Sequence, residues 1–136
     1  MMDRIPRVTV AAIVLNGNGE MLLLKSEKWR GKYGIPAGKV EYGERTAEAV
    51  KREIREETGL AVERLAFLKV QELINEKDFW EEAHFVSVNY VCSALPGNVK
   101  LNHEAQGYAW ARPKQTLGMG INRPTRELVE HYLAQR

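Results

Sequence analysis

The sequence predicts an α/β fold in which a helix covers each face of one β-sheet. Three observations lead to this fold class: several runs have the composition or the alternation of β-strands, one acidic helical stretch divides them, and an amphipathic helix ends the chain. A sheet with two apolar faces is buried when helices pack on both of them. We therefore expect a helix–sheet–helix sandwich.

The N-terminal third predicts a β-hairpin followed by a basic loop. Residues 8–15 are apolar and rich in β-branched side chains, which is typical of a largely buried strand. The turn signal Asn-Gly-Asn-Gly at residues 16–19 joins them to a second strand over residues 20–25. Residues 26–33, SEKWRGKY, are a basic and aromatic loop, and a short strand over residues 35–39 leads into the acidic helix.

The C-terminal half predicts more strands and the closing helix. Residues 60–70, with a continuation to residue 74, read as a strand that residues 63–64 interrupt, and residues 84–94 read as a second long strand. The polar loop between them carries Phe79 and Trp80, which either cover the core or form a stacking surface. Residues 107–111 are a last short strand. Residues 113–122 are a long connection, after which Pro124 suits the first position of a helix. The inner stripe of that helix is Leu128, Val129, Tyr132 and Leu133.

Length and composition indicate one globular domain, residues 1–136. A net charge of +2 gives no reason to expect nucleic acid or a membrane as a partner. Cys92 is the single cysteine and lies in an apolar run, so we expect a small buried hydrophobe. The first apolar run is too short for a membrane span and lacks a signal-peptide cleavage pattern, so we expect a cytoplasmic protein.

The acidic stretch predicts a helix over residues 46–58. Thr46 is the expected N-cap, and Gly59 supplies the stop after the last turn. One apolar face is formed by Ala47, Val50 and Ile54. We therefore expect this helix to pack on the sheet through that face.

Three carboxylates share another face of the same helix. Glu53, Glu56 and Glu57 stand at positions i, i+3 and i+4. In an arbitrary charged helix such a run is a solvated face, balanced by its basic neighbours. Here loop glycines Gly38 and Gly43 precede the helix, and clustered carboxylates are the hard ligands that Mg²⁺ or Mn²⁺ prefers. The spacing alone leaves both interpretations open.

Residues 38–60 resemble the signature of the Nudix hydrolase family, GX5EX7REUXEEXGU with U an aliphatic residue. Gly38, Glu44 and the run REIREETGL at residues 52–60 fill every fixed position. The resemblance implies an α/β/α sandwich around a mixed, curved sheet. It also implies Mg²⁺-dependent hydrolysis of a nucleoside diphosphate linked to another moiety, with a small nucleotide as partner. A MutT-like nucleoside triphosphate pyrophosphohydrolase is our working hypothesis.

The resemblance also assigns roles within the motif. Glu56 and Glu57 would be the principal metal ligands, with Glu53 a further ligand or the general base. Arg52 and Glu44 would form a supporting ion pair that orients Glu53.

Two groups outside the helix complete the implied site. The Ala37 carbonyl would be a further metal ligand, although many relatives carry glycine at this position. Glu104, which is followed by Trp110, resembles a loop glutamate that serves other members as fourth ligand or general base. The alternative for Glu104 is a solvated loop carboxylate.

Substrate contacts are expected outside the motif. In the loop over residues 26–33, Arg30 and Lys32 are candidates for phosphate contacts, and Trp29 and Tyr33 for contacts with a base. The alternative is a solvated loop whose aromatic residues pack on the core. Asn122 could hydrogen-bond a base edge or cap the final helix, and we favour the cap.

Other substrates and functions stay open at this point. ADP-ribose hydrolases of the family often carry proline where this chain has Glu76, and dinucleotide polyphosphate hydrolases often carry a tyrosine nearby, which is absent from residues 75–80. Both subclasses, and nucleotide sugars, are therefore secondary hypotheses. A non-catalytic sensor is disfavoured by the intact carboxylates, and a nucleic-acid role by the modest charge. A homodimer is compatible with the family.

Overall fold

The computed structural model describes residues 4–135, so residues 1–3 and 136 of the predicted domain lie outside the described part of the chain. The strands are β1 (Arg7–Leu15), β2 (Met21–Lys25), β3 (Tyr33–Gly34), β4 (Ala37–Lys39), β5 (Val62–Ile74), β6 (His84–Ala94) and β7 (Gly107–Ala111). The helices are α1 (Thr46–Thr58), α2 (Pro113–Thr116) and α3 (Arg123–Ala134), and a short 3₁₀ helix spans Glu27–Trp29.

The seven strands form one mixed sheet, as the resemblance implied, although the sequence analysis expected six strands and missed β3. The main order is β3-β2-β1-β6-β5, with β4 also paired to β1 and β7 to β2. Strands β1 and β6 are parallel over nine residue pairs, whereas the other ladders are antiparallel. Strand β1 therefore contacts β6 on one side and β4 on the other, and β4 leads directly into the loop before α1.

Two hydrophobic clusters lie on opposite faces of the sheet. Side chains alternate between the faces of a strand, so Val10, Ala12 and Val14 of β1 pack with Val50 and Ile54 of α1. Ile13, between them, belongs to a second cluster that contains Leu128 and Val129 of α3. This is the predicted α/β/α arrangement, and it holds α1 against the sheet.

The N-terminus of α1 differs from the prediction. The N-cap position is Arg45, one residue earlier than expected, and its amide donates to the Glu48 carboxylate at 2.8 Å. The Thr46 hydroxyl instead lies 2.6 Å from the Tyr90 hydroxyl, so a tertiary contact takes the group that was expected to cap. The C-terminal prediction is confirmed, because Gly59 follows the last turn with φ of 75°.

The connection before the last helix also differs. It contains the single-turn helix α2, which the sequence analysis missed. Helix α3 begins at Arg123, so Pro124 occupies the second position rather than the first. The Asn122 side chain accepts a hydrogen bond from the Thr125 amide, which confirms the favoured cap.

Two further expectations are confirmed. Cys92 is buried, and burial raises the pKa of its thiol to about 12, so it is an inert core residue. None of the helices within residues 4–135 has the length and apolar character needed to cross a membrane.

Candidate active site

A cavity of about 390 Å³ lies beside α1, where it is also bordered by β4, β6 and the start of α3. Glu53, Glu57 and Glu104 line one end of it. The lining also includes the aromatic residues Trp29, Phe79 and Phe85 and the polar residues Gln71, Ser87, Asn89, Asn122 and Thr125. Carboxylates and a partly apolar chamber therefore share one space.

At the acidic end, the carboxylate of Glu57 is buried although it carries no ion pair among the described residues. It accepts a hydrogen bond from the Ala37 amide at 3.2 Å. Burial first, and the neighbouring Glu53 carboxylate second, raise the pKa of Glu57 to about 9. Two carboxylates held this close in a poorly solvated place repel each other, and a cation between them would relieve that repulsion.

The Arg52 guanidinium holds the acidic end together. Its Nε and Nη2 atoms donate to both oxygens of Glu44, at 2.7 and 2.9 Å, in a bidentate pair. Its Nη1 atom donates to Glu53 at 2.7 Å, and a longer contact of 3.2 Å reaches Glu56. The hydrogen bond from Arg52 lowers the pKa of Glu44 to about 2. Arg52 thus links the preceding loop to two acidic residues of α1.

Gly38 allows α1 to approach β4 closely. A β-carbon placed on Gly38 would lie 2.1 Å from the Glu53 carboxyl group, so any other residue would displace that carboxylate. The adjacent Ala37 adopts ordinary strand geometry within β4. In the β1–β4 ladder, residues whose backbone groups hydrogen-bond to β1 alternate with residues whose backbone groups do not, and residues 37 and 39 are of the second kind. Their backbone groups therefore face away from β1, and the Ala37 amide meets Glu57 while the Lys39 carbonyl meets Arg52.

Glu104 reaches the cavity from the loop before β7. The amide of Lys100 donates to the Thr58 carbonyl at 2.8 Å, which ties that loop to the C-terminus of α1. Asn102 then holds Glu104 through its side-chain amide at 3.2 Å, and the Lys28 ammonium lies 3.7 Å away. Glu104 is close enough to contribute to the raised pKa of Glu57.

The carboxylates at the acidic end suit a hard divalent cation, although they do not form a complete set of metal ligands. Within residues 4–135, no three His, Cys, Asp or Glu side chains are grouped to hold a metal ion. Part of the reason that three carboxylates do not group is the position of Glu56. It is half-exposed, bound by Arg52 and absent from the cavity lining. Mg²⁺ keeps several water ligands and needs only one or two carboxylates. The neighbouring carboxylates of Glu53 and Glu57 fit that requirement.

Comparisons with known proteins agree with this geometry. The NUDIX domain family model matches residues 5–132. The chain belongs to the Nudix hydrolase family. A curated relative, nucleoside triphosphatase NudI of Escherichia coli (strain K12), is 32% identical and covers 89% of this chain and 93% of its own. The crystal structure of a MutT NUDIX hydrolase from Burkholderia pseudomallei has a TM-score of 0.82 and 30% identity, and covers 94% of this chain and 98% of its own.

A second structural neighbour is the MutT protein from Methanosarcina mazei Go1, with a TM-score of 0.79 and 27% identity over 99% of this chain and 98% of its own. Members of the family generally need a divalent metal and act on small nucleotides. The reaction class expected from the motif is therefore confirmed for this Nudix hydrolase, while the roles of individual residues stay predictions.

Only some of the residues predicted to contact the substrate line the cavity. Trp29 and Asn122 line the cavity, whereas Arg30, Lys32 and Tyr33 do not. Arg30 donates to the Lys77 carbonyl, Lys32 pairs with Asp78 at 3.0 Å, and Tyr33 packs in the α3-side cluster beneath the Lys25 ammonium. The geometry gives no support to phosphate or base contacts by these three residues.

Sequence reasoning missed several residues of this Nudix cavity. Phe79 was an undecided candidate and Phe85 was overlooked, yet their rings lie 5.4 Å apart edge-to-face, and Phe79 lies 4.8 Å from Trp29. Ser87 and Asn89, also overlooked, are buried polar residues two positions apart in β6. Polar side chains repeated on one buried face of a strand were the available signal.

Proposed function

We infer that this Nudix hydrolase cleaves nucleoside triphosphates with Mg²⁺ as its metal and releases a nucleoside monophosphate and pyrophosphate. One observation carries the proposal: a single cavity joins the Glu53 and Glu57 carboxylates to an aromatic wall and a buried amide. The phosphates of a nucleotide would lie with a metal ion at the carboxylates, and the base would lie against the aromatic wall and the amide. The names of the relatives, nucleoside triphosphatase and MutT, support the same substrate class. A cytoplasmic setting, a single domain and a homodimer stay predictions.

The acidic end would hold the metal. Glu53 and Glu57 are the ligands offered by the cavity, with the Ala37 carbonyl beside them, and Glu56 would join them after release from Arg52. When bound, Mg²⁺ supplies charge neutralisation at the phosphate oxygens and lowers the pKa of a coordinated water. Arg52 and Glu44 keep Glu53 in one orientation, because their bidentate pair fixes the guanidinium that bonds it.

A general base must accept the proton of the attacking water. Two carboxylates that line the cavity are the candidates, Glu53 and Glu104. Glu53 is held by Arg52 through a hydrogen bond of 2.7 Å. Glu104 is tethered by Asn102 and is more exposed, with 39% of its side-chain surface accessible. Both stay candidates.

The other end would hold the base. The Trp29 ring, packed with Phe79, offers a flat apolar surface on which a nucleobase can stack. Asn122 is 2% exposed, and its oxygen is engaged by the helix cap, so its amide NH₂ group is what it offers to a ligand.

The test is a substrate screen with the purified protein. Nucleoside triphosphates, ADP-ribose, nucleotide sugars and dinucleotide polyphosphates are incubated with Mg²⁺ or with EDTA, and products are identified by mass. Reactions in ¹⁸O-labelled water show which phosphorus is attacked, because the label appears in the product that contains it. The variant Glu57→Gln is compared with Glu130→Gln, a matched change at an exposed carboxylate of α3.

We expect triphosphates to be cleaved to monophosphate and pyrophosphate only with Mg²⁺, by the wild type and Glu130→Gln. Cleavage of ADP-ribose or dinucleotide polyphosphates with inert triphosphates would overturn the substrate assignment. Full activity of Glu57→Gln would overturn the assigned metal site. Tight binding of nucleotides without any product would favour the sensor function.

A further inference from the structure

Thr125 is a buried residue of α3 whose hydroxyl has no hydrogen-bond partner in the described part of the chain. It lies in the first turn of the helix and is 3% exposed. Its amide donates to Asn122 Oδ1 at 2.8 Å, which completes the cap. Its hydroxyl forms no hydrogen bond with any of residues 4–135. A hydroxyl in this position of a core needs a partner, because leaving it unpaired is unfavourable.

The open space next to that hydroxyl is the cavity. Throughout the described part of the chain, every side-chain nitrogen or oxygen that is sealed from solvent has a hydrogen-bond partner. Thr125 Oγ1 and Asn122 Nδ2 have none, so both atoms must reach an accessible surface. Both residues line the cavity. A β-carbon placed on Gly34 would lie 2.7 Å from Asn122 Nδ2 and 3.6 Å from Thr125 Oγ1, so the two atoms face the same glycine.

Other buried polar groups of the cavity are already satisfied. The Ser87 hydroxyl donates to Asn89, whose amide donates to the carbonyls of Lys69 and Ser87. The Gln71 amide donates to the Pro124 carbonyl. These groups form an internal network that links β5, β6 and α3. Thr125 and Asn122 differ from it because their open groups face the space where a ligand would lie.

We propose that the Thr125 hydroxyl is a specificity-determining group that hydrogen-bonds the edge of the substrate's nucleobase. This rests on the proposed function, since it names the part of that substrate which Thr125 reads. The cap pins Asn122 Oδ1, so Asn122 presents only N–H donors and requires an acceptor on the base. The Thr125 hydroxyl both donates and accepts, so it takes the neighbouring atom of the same edge. The aromatic wall of Trp29, Phe79 and Phe85 covers the face of the base.

The decisive variant is Thr125→Val, which removes the hydroxyl and keeps the shape. Thr125→Ser keeps the hydroxyl, and Thr125→Ala replaces Thr125→Val if the latter does not fold. The matched control is Thr116→Val, because the Thr116 hydroxyl is also buried but donates to the Pro113 carbonyl away from the cavity. Each protein is assayed on nucleoside triphosphates and on ribose 5-triphosphate, which has no base.

We expect Thr125→Val to raise KM for triphosphates roughly three- to tenfold with kcat little changed, as for loss of one neutral hydrogen bond. KM for ribose 5-triphosphate should not change, and Thr125→Ser should restore KM to within about twofold. An unchanged KM would overturn the proposal. So would an equal effect on the base-free substrate, or the same rise in Thr116→Val, because either would indicate a structural role.

Failure of the proposed function can be distinguished from failure of the role proposed for Thr125. If the wild type cleaves no triphosphate, that function fails, and calorimetry with nucleosides alone then decides the present proposal. Weaker nucleoside binding by Thr125→Val than by Thr116→Val would support it. Equal binding by the two variants, or no nucleoside binding by the wild type, would overturn it.

Discussion

The two ends of the cavity are built in different ways. At the acidic end, Glu53, Glu57 and the orienting Arg52 come from two turns of α1, with Glu44 a few residues earlier. At the base end, Trp29, Phe79 and Asn122 come from three segments far apart in the chain. In the proposed function, one helix therefore supplies most of the acidic end, whereas the base end depends on how distant segments meet.

Because the acidic end is expected to carry the chemistry, a substitution there should have the largest effect on activity. We expect Glu57→Gln to lower kcat/KM more than about 100-fold, because it removes a buried carboxylate of the proposed metal site. Steady-state kinetics at saturating Mg²⁺ measures it, with Glu130→Gln as the control. A loss smaller than tenfold would mean that the acidic end does not depend on this residue.

Orientation at the acidic end should matter slightly less. Arg52→Lys keeps the charge but loses the bidentate pair with Glu44 and the bond to Glu53, so we expect kcat to fall about 10- to 100-fold. Glu44→Gln should fall similarly, and the double variant should be no worse than the poorer single one. Additive losses in this double-mutant cycle would show that the two residues act separately.

At the base end, a substitution should weaken substrate binding rather than slow the chemical step. Trp29→Ala removes the proposed stacking surface, so we expect KM for triphosphates to rise about tenfold while kcat stays within about twofold. Trp80→Ala, at an exposed ring of the neighbouring loop that does not line the cavity, is the control. An equal fall of kcat in Trp29→Ala would remove the proposed separation of the two ends.

The smallest effect concerns the loop that carries Phe79. Asp78 accepts hydrogen bonds from Lys32 Nζ at 3.0 Å and from the Arg123 amide at 2.8 Å. Burial opposes its charged form, but these two donors prevail and hold the pKa of Asp78 below its ordinary value of 3.8. Asp78→Asn should lower the free energy of unfolding by about 1 to 2 kcal/mol at pH 7.

The sign of the pH dependence follows from that lowered pKa. The folded state binds the proton less readily than the unfolded state, so the stabilisation is present above pH 3.8. It is lost as the pH falls through the lower folded-state pKa. Urea unfolding at pH 7 and near pH 3 should therefore show a difference between wild type and Asp78→Asn that shrinks in acid. Glu81→Gln, in the same exposed loop, should differ little from wild type at either pH.

Much of the fold was predictable from local patterns. The bounds of β6 and β7 and the end of α1 agree with the prediction, because alternation and the Gly59 stop are local signals. The interruption expected at residues 63–64 is a register shift in β5, where Arg64 has φ of 58°. The Thr46 cap was wrong because Tyr90, 44 residues away, takes its hydroxyl.

By itself the sequence determined the acidic helix and the spacing of its carboxylates, and with them the family and the class of reaction, since these depend on residues a few positions apart. The tertiary structure decided which carboxylates face the cavity. Glu57 is buried there, whereas Glu56 is held outside by Arg52. It also decided that Trp29 faces the cavity while Lys32 pairs with Asp78. Such contacts join segments tens of residues apart, so they depend on the packing of the whole sheet and its loops, which no local periodicity encodes.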